Sequence, residues 1–193
     1  MKLLFSALLL VFLSSCQEDP KVREEQQQKE AQKREAIFNN INNGWNFNST
    51  PSNEASRELT KYWAEWRVFL NELGQKPKSS ISAFQQKAKT LSKRALELNN
   101  NIPVKYNLPE VKSRIAVITT KVNAINLYIH LGQIPDKKIV QLAQEINTEL
   151  ASMNAQLEEI KRRGEIKMEE GEADMIRMLD TARAIPNEPK NVK

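Results

Sequence analysis

The chain has 193 residues, room for one domain with accessory segments, and carries 29 Lys and Arg against 24 Asp and Glu, a net charge of +5. That excess is too small to imply nucleic acid on its own, and one cysteine and one histidine exclude an internal disulfide, a cysteine-ligated metal and a histidine-cluster metal site. Apolar residues make up 40% of the chain, with only 5 Gly and 8 Pro, so long helices with narrow apolar seams are expected.

Lys2 places a positive charge at the N-terminus, and Leu3 to Leu13 is apolar except for Ser6. A spanning helix needs roughly 20 apolar residues, so this run is too short to stay in a bilayer. It ends in Leu13-Ser14-Ser15-Cys16, an apolar residue, two small ones and a cysteine. This string resembles the lipobox of bacterial lipoproteins. The resemblance implies that residues 1–15 are a signal peptide and that the Cys16 thiol receives a diacylglyceryl group. It further implies cleavage just before Cys16, leaving a new amine open to acylation. Two or three acyl chains anchor a protein stably where one does so only marginally. The competing reading is an ordinary secretory leader with a cysteine at its end. Gln17-Glu18-Asp19 resembles the acidic tract behind the cysteine of surface-exported lipoproteins in Bacteroidota-type envelopes. The competing reading there is the plain start of a hydrophilic linker. Gln17 stands where many enterobacterial lipoproteins carry the aspartate that retains them in the inner membrane, so the resemblance implies the outer membrane, facing either outward or into the periplasm.

Residues 16–50 read as a polar tether with a loop. From residue 17 to about 36, acids and bases alternate with Gln and Ala, which predicts a solvated helix. Ile37, Phe38 and Ile41 form a small apolar tip. Asn39 to Asn53 is a loop by composition, with Trp45 and Phe47 embedded in it.

Residues 51–185 read as a helical bundle. A first bundle helix is expected from Thr50-Pro51, with Leu59, Tyr62, Trp63, Trp66, Phe69, Leu70 and Leu73 on one face. A second follows Ser79 and Ser80, with a heptad seam of Ile81, Phe84, Ala88, Leu91, Ala95 and Leu98. A third opens at Asn107-Leu108-Pro109-Glu110, where Asn107 and Glu110 have capping-box spacing. Its seam is Val111, Ile115, Ile118, Val122, Ile125 and Ile129, widened by Leu127, Tyr128 and Leu131. A fourth begins at Asp136 and, if continuous to Ala184, reaches roughly 73 Å. A weak bend near Gly164 or Gly171 is expected, with the far half packed on the tether around Ile37, Phe38 and Ile41. Residues 186–193 read as a disordered tail. The fold class is therefore all-α: an elongated antiparallel bundle with a long C-terminal helix and a polar N-terminal tether helix.

Candidate sites are few. Cys16 is the lipidation site that the lipobox implies. Trp45, a tryptophan in a loop, is a candidate partner anchor. Lys76 to Lys121 contains ten bases and two acids, whereas from Asp136 onward ten bases meet twelve acids. Lys87, Lys93 and Arg94 in that basic stretch are candidate contacts for an acidic envelope partner or an anionic surface. Tyr62, Trp63, Trp66 and Phe69 sit at core spacing, and Met168, Met175 and Met178 read as gap-fillers at a helix interface. No nucleophile elbow, phosphate-cradling glycine loop or zinc spacing is present. The expected function is a membrane-anchored binding or scaffold module without cofactor or enzymatic activity. A self-associating coiled-coil lipoprotein is the alternative.

Overall fold

The computed structural model describes residues 19–166. The leader, Cys16, the methionine cluster, the far half of the fourth predicted helix and the tail lie outside that range. The described residues are helical throughout their ordered elements and contain no strand. The helices are α1 (Pro20–Gly44), α2 (Glu54–Tyr62), α3 (Ala64–Gly74), α4 (Ile81–Glu97), α5 (Pro109–Ile129) and α6 (Asp136–Glu165). A 3-10 turn at Val104–Tyr106 precedes α5.

The aliphatic seams meet at the centre. Phe84, Ala88, Leu91, Ala95 and Leu98 of α4 are buried, as are Val111 to Ile129 at three/four spacing in α5. Ile139, Leu142, Ile146, Leu150, Met153, Leu157 and Ile160 of α6 complete the core. α4 packs on α5 and α5 on α6, while α3 covers α4 and α2 covers α6. The alanines of α4 let α5 approach closely enough for the Thr119 hydroxyl to donate to the Ala95 carbonyl at 3.1 Å.

The first bundle helix is broken. Trp63 is extended (φ −113°, ψ 95°), and its backbone N–H closes the last turn of α2 on the Leu59 carbonyl. Its indole stacks on Trp66 at 5.7 Å and donates from Nε1 to the Asn100 carbonyl at 3.1 Å. Arg67 Nη1 donates to the Thr60 carbonyl at 2.9 Å, satisfying an end of α2 that the break leaves open. Tyr62, expected in the core, is exposed as a result. The helix also starts later than Thr50-Pro51, because Asn53 is its cap and accepts from the Ser56 N–H at 2.8 Å.

Two other local expectations fail, and α6 is shorter than its pattern allowed. α5 is capped by Leu108 with no side-chain hydrogen bond, so the Asn107–Glu110 capping box does not form; Pro109 at the first helical position starts the helix instead. Leu127 and Leu131 are exposed and add nothing to the seam. α6 ends at Glu165, with Ile166 extended, next to Gly164 where a bend was expected; the remainder toward Ala184 lies outside the described residues.

α1 is longer than expected. Burial of Ile41, with Ile37 and Phe38 partly covered, carries the helix through Asn39–Asn43 to Gly44. Tertiary packing here overrides the loop preference of asparagine. Asn40 Nδ2 donates to Asp136 Oδ2 at 2.6 Å, and Gly44 lies against Val140, so α1 and α6 run in the same direction. A Cβ at Gly44 would sit 2.6 Å from Val140 Cγ1, which is why only glycine fits. The tether thus meets the first turns of α6; the far half expected to pack on it lies outside the described residues. Upstream, Pro20 to Ala36 are exposed throughout, a rod of about 25 Å whose last turns border the end of the bundle. Asp19 caps this rod, its carboxylate accepting from the Lys21 N–H at 3.0 Å.

Candidate functional site

Trp45 does not offer a surface anchor. It is 2% exposed and packs edge-to-face on Phe47 and Phe84, with ring centroids 5.4 and 5.1 Å away. Phe38 meets the same Phe84 at 6.0 Å. These rings fasten the end of α1 to the start of α4, so the loop aromatic is a core residue. Its indole Nε1–H has no acceptor among the described residues. Asn147 supports the extended segment beyond it, accepting from the Asn48 N–H at 2.8 Å and donating to the Asn46 carbonyl at 2.9 Å.

Part of the basic stretch is paired within the protein. Lys87 reaches Glu72 Oε1 at 2.6 Å with its side chain 10% exposed, tying α4 to α3. Arg94 pairs with Glu97 one turn along α4 at 2.8 Å. Lys93 is exposed and makes no ion pair among the described residues. Lys121 bridges from α5 to Glu145 and Glu149 of α6 at 2.8 and 3.8 Å. Arg114 donates to the Ser152 hydroxyl at 3.1 Å. The charge asymmetry along the chain is thus partly an internal pairing of α5 with α6. Of the three bases singled out as contacts, Lys93 is the one left facing solvent without a partner among the described residues.

Two features escape the sequence. Ser56 is buried with its hydroxyl 2.6 Å from Asn53 Oδ1 and 2.7 Å from Asn154 Oδ1, a polar clamp between α2 and α6. Neither neighbour is a base, so this hydroxyl lacks the proton acceptor that nucleophilic catalysis needs. The second is a cleft of about 810 Å³ between α1 and the nearby end of the bundle. Ile37, Ile81, Leu131 and Ile134 supply its apolar lining, and Glu30, Lys33, Arg34 and Gln85 its polar rim. Arg34 is already paired with Glu30 at 3.5 Å, and Gln85 donates to the Ile129 carbonyl at 2.9 Å. Such a surface can bind an amphiphilic group, with no acid and base set against each other for proton transfer. No signal short of the fold brings α1 beside the α5–α6 turn. Among the described residues no three His, Cys, Asp or Glu gather as a metal site, and no helix is long and apolar enough to cross a membrane.

The chain matches no protein-family model, no curated protein and no solved structure.

The inter-helix ion pairs set a pH dependence. A hydrogen bond from Lys121 holds the Glu145 carboxyl below its ordinary value, and one from Lys161 does the same for Glu54. Carboxyls depressed in the fold stabilise it fully above their unfolded pKa, about 4.3, and the stabilisation is lost as pH falls through the lower folded values. Lys161 is shifted up by Glu54, so its share is present below about pH 10 and lost above. Denaturation midpoints are therefore expected to be level between about pH 5 and 10 and to fall on either side. A Glu54→Gln/Glu145→Gln variant should show a shallower acid limb. An acid limb unchanged in that variant would reject this account.

Proposed function

We propose that this chain is a lipid-anchored protein of the cell envelope, in the outer membrane, whose helical bundle is a non-catalytic binding or scaffold module. The observation that carries the reading is the string Leu3 to Cys16, an apolar run ending in Leu-Ser-Ser-Cys, placed four residues before the exposed rod of α1 begins. Acyl chains on Cys16 fix the address, and the rod sets the reach. Charge composition suits the rod to this position: acids and bases alternate along it, and Arg34 pairs with Glu30 one turn back. Self-association through the rod has little to drive it, since Val22 is the one large apolar side chain between Pro20 and Ala36. The partner remains an envelope protein or an anionic surface, not nucleic acid.

Changing Cys16 to Ser tests the anchor. The wild-type protein is expected in the membrane fraction, with the added mass of a diacylglyceryl group on the mature N-terminal residue. C16S should move to the soluble fraction uncleaved or unlipidated. A wild-type thiol found unmodified by mass spectrometry, or a C16S protein still fully membrane-bound, would overturn the reading.

A further inference from the structure

The rod leaves the bundle from one particular end. Asn40 lies beside Asp136 and Gly44 beside Val140, so residues upstream of Ile37 run outward past the first turn of α6. The cleft puts Lys33 and Ile37 of α1 next to Ile81, the first residue of α4, and next to the α5–α6 turn at Leu131 to Pro135. The same end therefore carries the α3–α4 linker and the α5–α6 turn. Whatever holds the chain at residue 16 has this end of the bundle nearest to it.

That end is basic. Lys76 and Lys78 are exposed in the α3–α4 linker, and Lys137 and Lys138 are exposed in the first turn of α6. The carboxylate among them, Asp136, accepts from Asn40. On the adjoining rod, Glu30 is paired with Arg34, and acids and bases alternate. Lysines at a helix N-terminus stand against the helix dipole; Lys138 donates to Gln141 Oε1 at 3.2 Å, and Lys137 makes no side-chain hydrogen bond or ion pair among the described residues. Leu131, 42% exposed, projects from the turn between the lysines' two segments.

We infer that this rod-proximal end is a membrane-contact surface, on which Lys76, Lys78, Lys137 and Lys138 bind the anionic headgroups of the bilayer that holds Cys16. The inference rests on the lipid-anchor reading. The rod, about 15 Å from Pro20 to the cleft at Glu30, and the four residues from Cys16 to Pro20, at most about 14 Å when extended, together set the greatest stand-off, and tilting the rod toward the bilayer plane brings the lysines toward the surface, where attraction acts over about a Debye length. Each lysine near an anionic leaflet adds attraction that salt screens, and Leu131 supplies an apolar contact at the interface. The anchor restricts the bundle to the membrane, and the lysines choose which face it turns down.

The test uses the full-length lipidated protein in vesicles of neutral phosphatidylcholine, or of the same lipid with about one third phosphatidylglycerol. Flotation reports anchoring. Brief amine acylation followed by mass spectrometry reports the reactivity of each lysine. On anionic vesicles Lys76, Lys78, Lys137 and Lys138 should be at least threefold less reactive than on neutral ones, and the difference should vanish at about 0.5 M salt. Lys89 and Lys93, on the flank of α4, should be unchanged. In a fourfold Lys→Gln variant at the contact positions, Lys33 should lose any protection while flotation persists. Flotation with equal reactivity on both vesicles, or protection of Lys89 and Lys93 in place of the end lysines, overturns the inference and leaves the anchor standing. Failure to float overturns the anchor and the inference with it.

Discussion

Phe84→Ala is expected to lower the unfolding free energy by about 3–5 kcal/mol and to loosen α1 from the bundle. Phe84 is fully buried and is the ring on which Phe38 and Trp45 both rest, at 6.0 and 5.1 Å. Truncation opens a cavity between α4 and the end of α1 and removes two edge-to-face pairs, each contributing about 0.5–1.5 kcal/mol beyond burial. Denaturant titration measures the loss. Hydrogen exchange locates it: amides from Ile37 to Phe47 should exchange faster than those in the seams of α5 and α6. A loss under about 1 kcal/mol, or uniform acceleration across the bundle, would show that the aromatic cluster does not hold α1 in place.

Trp63→Ala should cost a similar amount, about 3–5 kcal/mol. The indole is fully buried, stacks on Trp66 and donates to the carbonyl of Asn100. Its removal leaves a void at the junction of α2 and α3 and an acceptor without its donor. Trp63→Phe separates much of the two effects, because a smaller aromatic ring remains on Trp66 and the hydrogen bond goes. That variant should lose only about 0.5–1.5 kcal/mol of the total through the bond. Equal losses for Ala and Phe would mean that the hydrogen bond, not the stack, holds the break in the helix.

The long helices were legible because their seams are periodic. Ile115, Ile118, Val122, Ile125 and Ile129 announce one buried face of α5, and the structure buries all of them. The break at Trp63 was not legible, since no glycine or proline marks it and its cause is an acceptor on a distant turn, Asn100. Trp45 was misplaced for a related reason. Asparagine-rich flanks say loop, and they are right about the backbone after Gly44, but burial is decided by Phe84, far along the chain. The candidate bases show the limit of counting charges. Lys87 and Lys121 belong to a basic stretch in one dimension and to ion pairs with Glu72 and Glu145 in three. The lysines of the rod-proximal end come from segments sixty residues apart, and only the fold makes them neighbours.

The parallel seating of α1 on α6 has a mechanical consequence. Tension applied at residue 19 acts along the axis of α1, away from the bundle and along the plane of its contact with Asp136 and Val140. Phe38, Ile41 and Trp45 then bear the load together, in shear, where an oppositely directed helix would be stripped off one side chain after another. The attachment is oriented to resist being dragged.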